Sequence, residues 1–242
     1  MNIPTPDAQP GCLVGRDWGR SVMNRRQFML AAILAWPASS RAQPAPAVRS
    51  WNLGWTKVPS VTVVGPANDR RLQKVRDAIA FWNKTLAELG TPFRIGPMVH
   101  VAGAIPIDDL RGTSMTVLNR AGPPQMPESV RAAQGDIVVA LSDAEFVSFS
   151  ARWPTESRAL VAIRNDKSYP LSLPNVAANV IAHELGHALG LGHNDDPSKL
   201  MCGRPAPCRP DAFASPSEHF LPLTSEERKT LQKMYPADWR NN

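Results

Sequence analysis

The chain has no uncharged apolar run approaching the roughly twenty residues that a membrane-crossing helix needs. With 43% hydrophobic and 20% charged residues it also lacks the bias of disordered, collagenous or coiled-coil proteins, and no internal repeat is visible. Charge of one sign is missing where it would count. Arg16, Arg20, Arg25, Arg26 and Arg41 against Asp7 and Asp17 account for half of the net +6; the remaining 200 residues carry 22 basic and 19 acidic side chains. A surplus of three selects no polyanionic partner. Arg70, Arg71, Lys74 and Arg76 do cluster, but few aromatics accompany them, so a solvated helix face accounts for them better than nucleic-acid binding. Cysteine is equally scarce, at three in 242 residues.

Residues 1–42 read as an address. Arg25 and Arg26 precede an apolar run from Met29 to Trp36, and Ser40-Arg41-Ala42 places small residues at the −3 and −1 positions of a cleavage site. The arginine pair resembles a twin-arginine bacterial export signal. Met23 is an alternative start, since residues 1–22 show no pattern of their own. The mature chain is therefore expected to be exported, periplasmic or secreted, without stable membrane insertion. Cys12 falls in the segment expected to be lost, which leaves Cys202 and Cys208. A pair with five residues between them in an exported protein reads either as a disulfide closing a small loop or as two thiols.

After a Pro/Ala-rich linker at 43–50, residues 51–242 read as one α+β domain. Residues 61–64 form a β-branched run, and Leu72, Val75, Ile79, Trp82, Leu86 and Leu89 recur at helical spacing ahead of Gly90. Residues 93–101, 136–141 and 158–163 are further strand candidates. No element is placed between Ile105 and Val130. A second helix is predicted over 177–191, and a third starts at Thr224, which has capping-box spacing to Glu227 ahead of Leu231 and Met234.

The stretch that carries chemistry is His183-Glu184-Leu185-Gly186-His187-Ala188-Leu189-Gly190-Leu191-Gly192-His193. Positions i and i+4 of a helix differ by about 40° in azimuth, so His183 and His187 can offer imidazoles to one ion. Gly190 can take positive φ and end the helix, letting His193 approach the same ion from another side. Three imidazoles with an open fourth position suit a catalytic zinc. Glu184 stands beside the first ligand without needing to ligate, and can take a proton from attacking water and pass it to a leaving amine. Five fixed positions in one such window arise by chance with probability on the order of 10⁻⁷.

This motif resembles the zinc site of the metzincin metalloproteases, whose Met-turn follows the third histidine. Met201, eight residues after His193, matches it as an apolar floor beneath the histidines. The Gly190–His193 run, the Pro-Ser-x-Leu-Met sequence and the capped helix after Thr224 are most similar to the matrixin branch, from about Asn175 to Tyr235. The resemblance implies a twisted mixed sheet, a long helix in the first half, an active-site helix, a Met-turn and a C-terminal helix. It also implies one catalytic Zn²⁺ and a peptide or protein substrate lying extended along an edge strand, either 136–141 or 158–163. Three departures bear on function. His100 and His219 are too few for the structural zinc usual in matrixins, Gly203 stands where some branches place a tyrosine, and no cysteine switch is expected.

The reading is an exported zinc endopeptidase with Glu184 as general base and acid. A zinc-containing binding protein without turnover, or a hydrolase of a non-peptide amide such as a cell-wall linkage, are the alternatives. The Cys202–Cys208 loop, directly after Met201, is expected to shape the substrate pocket. Replacing both cysteines by serine should change the cleavage profile on a peptide library and leave zinc content intact; an unchanged profile contradicts that role.

Overall fold

This computed structural model of the chain describes residues 53–119, 122–203 and 219–241. The expected export segment (1–42) and linker (43–50) lie outside the described residues. The domain is built on a five-stranded sheet: β1 (Val61–Gly65), β2 (Met98–Ala102), β3 (Ile137–Leu141), β4 (Phe149–Trp153) and β5 (Arg158–Ile163), in the order β2-β1-β3-β5-β4. The first four strands in that order are parallel, and β4 runs antiparallel to β5 with Ala151 opposite Leu160. Around it lie α1 (Arg71–Glu88), α2 (Ile107–Asn119), α3 (Glu128–Ala132), α4 (Pro174–Ala188) and α5 (Ser225–Met234).

Strand β3, and β5 after Arg158, are apolar without a break because the sheet is covered on both faces. Ile137, Val139 and Leu141 of β3 and Val161 and Ile163 of β5 face one core, which α1 closes with Val75, Trp82 and Leu86 and α4 closes with Ile181 and Leu185. Val138 and Ala140 of β3 and Leu160 and Ala162 of β5 face a second core, closed by Leu110 of α2 and Val130 of α3. The large, fully buried Trp82 joins α1 to α4 by donating its indole N–H to Ala182 O at 2.9 Å.

Several elements differ from the sequence reading. Of residues 93–101, only Met98–Ala102 is strand. Phe93 and Ile95 are buried, but Asn83 of α1 supplies the partners of Ile95, donating to its carbonyl (3.0 Å) and accepting from its N–H (2.8 Å). Helix α2 went unplaced because Gly112, Thr113, Thr116 and Val117 are poor helix formers and its buried face holds Leu110 with only Thr113 and Ser114. Strand β4 alternates apolar Phe149, Ala151 and Trp153 with polar Ser150 and Arg152, a period-two pattern only five residues long that the sequence reading did not include. Its presence corrects the expected edge. Neither 136–141 nor 158–163 has one, because β3 is bonded between β1 and β5, and β5 between β3 and β4. The edges are β2 and β4. The site helix starts earlier than predicted, with Pro174 in its first turn, and ends at Ala188.

The loops leaving β3 and β5 are tied by one buried cation. Arg71 is 1% exposed; its guanidinium donates to Ser142 O and Arg164 O, each at 2.8 Å, and to Asp69 Oδ2 at 2.5 Å. Burial alone would raise the Asp69 carboxyl, but hydrogen bonds from the Arg71 side chain and backbone N–H outweigh it and hold it below its ordinary value. Arg71→Met should cost about 3–5 kcal/mol in urea unfolding, because the change removes the guanidinium from Asp69, Ser142 O and Arg164 O and leaves the Asp69 carboxylate only the backbone N–H of residue 71. The folded Asp69 gives up its proton more readily than the unfolded chain does. Its contribution is therefore present above the unfolded carboxylate pKa of about 3.9 and is lost as pH falls through the lower folded value. The wild type should show this acid-side loss of stability, and Arg71→Met should show less of it.

Candidate metal centre

Helix α4 is apolar on the faces it packs against the sheet and α1, and it exposes the remaining edge at His183. Its C-terminus closes where the sequence indicated. Gly190 takes φ +105°, its N–H donates to His187 O (2.9 Å), and the Leu191 N–H reaches back to Gly186 O (3.0 Å). Two further carbonyls at this end are satisfied from segments far away in sequence: Trp55 Nε1–H donates to Ala188 O and the Tyr235 hydroxyl to Leu189 O, both at 2.8 Å.

The turn brings the three histidines together. His183 and His187 Nε2 lie 3.1 Å apart, His187 and His193 Nε2 2.9 Å, and His183 and His193 Nε2 3.2 Å. The far side of two rings fixes their chemistry. His183 Nδ1 is 2.7 Å from Leu200 O and His187 Nδ1 2.8 Å from Leu191 O. A carbonyl only accepts, so each Nδ1 carries the proton and each Nε2 presents a bare lone pair. Burial first, and then the neighbouring His183 and His193, hold His187 well below its ordinary value, which keeps that ring neutral. Lone pairs this close repel unless a cation lies between them. Four-coordinate zinc with bonds of about 2.0–2.1 Å sets its donors roughly 3.3 Å apart, close to the spacing found here. A set of three neutral nitrogens suits zinc and not calcium or magnesium, which take oxygen. These residues therefore fit the ion, and among the described residues no other group of three or more His, Cys, Asp or Glu converges in this way.

Glu184 follows His183 on α4 and is 7% exposed. Burial pushes its carboxyl up to about 8, and a cation held by the three histidines would oppose that rise. Met201 is fully buried. A Cβ at Gly186 would stand 2.5 Å from Met201 Sδ and 2.9 Å from Trp82 Cζ2, so the glycine between the two helical histidines is what lets the methionine and the indole reach the helix. Asn194 ties His193 to the Met201 turn: its N–H donates to Met201 O and its carbonyl accepts from Gly203 N–H, both at 2.9 Å. Its side-chain amide donates to Glu227 Oε1 at 2.5 Å. Glu227 Oε2 accepts from Thr224 N–H (2.7 Å) while the Thr224 hydroxyl accepts from Glu227 N–H (3.1 Å), so the capping box that starts α5 also holds the third histidine's neighbour.

The structure thus assembles His183, Glu184, His187, His193, Gly190 and Met201 at one place. Cys202 is buried next to them; Cys208, and with it the expected pairing, lies outside the described residues. His100 Nε2 on β2 lies 3.1 Å from Gly65 O, and His219 joins a segment lying along α4; neither belongs to the histidine group. Sequence reading missed Gly186 and Asn194, took Glu227 only as a cap, and read Gly203 as a missing tyrosine. A Cβ at Gly203 would stand 2.2 Å from His193 Cγ and 2.5 Å from Nδ1, so a side chain there requires the His193 ring to move.

Residues 142–235, from the end of β3 through α5, match the matrixin family model of metallopeptidases. The match covers less than half of the chain and contains all three histidines. No curated protein matches. The chain is similar to the crystal structure of archaemetzincin from Methanopyrus kandleri over 78% of this chain and 98% of that one, at 17% identity and a TM-score of 0.38. The family match and the histidine group together support a zinc metalloprotease.

Gly203→Ala should displace His193 and weaken zinc binding by about 10–100-fold, the range seen when the supports of metal ligands are altered. Competition with a chromogenic chelator checks this, and unchanged affinity would show that the His193 ring adapts.

Proposed function

We propose that the chain is an exported zinc endopeptidase in which His183, His187 and His193 hold one ion and Glu184 moves the proton. The observation that carries this reading is the approach of three Nε2 lone pairs to within 3.2 Å of one another, next to a buried carboxylate. Zinc bound there supplies a Lewis acid that polarises the scissile carbonyl and makes water a competent nucleophile near neutral pH. Glu184 accepts one proton as the water oxygen bonds to the carbonyl carbon, and delivers it to the amide nitrogen as the C–N bond breaks. Leu200 O and Leu191 O keep the protons of His183 and His187 on Nδ1, so both rings face the ion as acceptors throughout.

Strand β4 is the natural place for an extended substrate. It is bonded on one side only, to β5, and α4 packs against both strands. A peptide laid along its open edge gains main-chain hydrogen bonds and places alternate side chains toward the groove. Export rests on the Arg25-Arg26 signal pattern. No helix among the described residues is long and apolar enough to cross a membrane.

The test is turnover of a quenched-peptide library by the mature chain, with zinc content measured on the same sample and Glu184→Ala alongside. The variant should keep its zinc and lose about 10²–10⁴-fold in rate. Equal cleavage by both proteins removes Glu184 from the chemistry. One zinc per chain without cleavage favours the silent binding protein or a non-peptide amide, and a chain that binds no zinc overturns the reading.

A further inference from the structure

Helix α4 carries a second pair of polar residues that the chemistry does not use. Asn175 and Asn179 lie two turns and one turn before His183 on the same face, at i−8 and i−4, and are 2% and 1% exposed. A buried amide costs stability unless it is bonded, and Asn179 is fully engaged. Its Nδ2 donates to His219 O (2.8 Å) and to Asn175 O (2.9 Å), and its Oδ1 accepts from Leu221 N–H (2.8 Å). Asn175 Oδ1 accepts from His219 N–H at 2.9 Å. Asn179 therefore meets residues 219–221 as a neighbouring strand would, taking one carbonyl and one N–H with a single amide. Phe220, between them, packs on Phe81 of α1 with ring centroids 4.7 Å apart.

The segment held in this way leads back to the metal centre. Pro222 O accepts from Leu200 N–H at 3.0 Å, and Leu200 O accepts from His183 Nδ1–H at 2.7 Å. Leu200 is 1% exposed and directly precedes Met201. The helix that bears His183 thus sets, through Asn179 and a returning piece of chain, the carbonyl that orients His183 itself.

We propose that Asn179 is a positioning residue for the metal centre. By docking residues 219–222 along α4 it places Leu200 O, fixes the tautomer and orientation of His183, and tightens zinc binding. This rests on the reading that the three histidines hold zinc. Outer partners of metal-bound histidines are typically worth 10–100-fold in affinity, and the loss of Asn179 should fall in that range although it touches no ligand.

Asn179→Leu, nearly isosteric, is compared with the wild type and with Val130→Ala, which loosens the opposite core without touching this path. Hydrogen exchange is followed at the Leu200 and Leu221 amides with no metal added, and zinc affinity by chelator competition. In Asn179→Leu both amides should exchange at least about tenfold faster and the zinc Kd should rise about 10–100-fold, while Val130→Ala leaves the Kd unchanged. Should Asn179→Leu fail to fold, Asn179→Ser, which keeps a shorter polar group, carries the same comparison. Unchanged zinc affinity in the Asn179 variant, or an equal loss in Val130→Ala, overturns the proposal and reduces Asn179 to a packing role. Failure of the peptidase reading looks different: the wild type binds zinc, Asn179→Leu weakens it, and neither cleaves peptide. A wild type that binds no zinc overturns both.

Discussion

Three imidazole Nε2 atoms are held about 3 Å from one another, and two of them, on His183 and His187, can only accept, so that pair repels until a cation enters. His183 and His187 cannot escape by moving their protons inward, because each Nδ1 is committed to a backbone carbonyl. Buried His187 gains nothing from taking a second proton, since that would place charge in an apolar wall beside two other rings. Much of the surrounding structure can be understood as what prevents these rings from splaying apart. The same restraint makes them ready for an ion, because little reorganisation is left to do on binding.

That restraint comes from both ends of the domain. The C-terminus of α4 would leave unpaired carbonyls in an apolar setting. Trp55 from the N-terminal side and Tyr235 from beyond α5 cap two of them. Tyr235 also stacks on Phe93 at 3.9 Å, and Trp239 donates to Trp55 O, so the segments around Trp55 and Trp239 hold each other as well as the helix. On the other side of the site, Asn194 and Glu227 couple the third histidine to the cap of α5. Two glycines matter here for space and not for backbone freedom. Gly186 admits Met201 and Trp82 against α4, and Gly203 leaves room for the His193 ring.

Away from the centre, buried and paired arginines tie the loops together. The loops that follow β3 and β5 meet at Arg71, and Arg70 reinforces the join by donating to Asp166 Oδ2 at 2.7 Å. The four basic residues clustered near the start of α1 thus do not act as one surface. Arg71 is buried among carbonyls and Arg70 is paired, which removes two of the four charges from any basic face.

The sequence by itself determined the chemistry of the site and the elements that carry it. The 3.6-residue period put His183 and His187 on one face, a glycine ended the helix where a third histidine could return, and Thr224 with Glu227 marked the start of α5. Helix α1 and strand β5 were legible for the same reason, as each repeats one pattern long enough to be seen. What only the tertiary structure decided depends on partners far apart in the chain. Helix α2 has no strong local preference and exists because a sheet face needs covering, while β4, though its residues alternate, owes its place at the sheet's edge to its pairing with β5. Asn179 and Leu221 are 42 residues apart, and Asn194 and Glu227 are 33. A hydrogen bond between such residues leaves no periodicity behind, since its geometry is set by the packing of whole elements and not by neighbours in sequence.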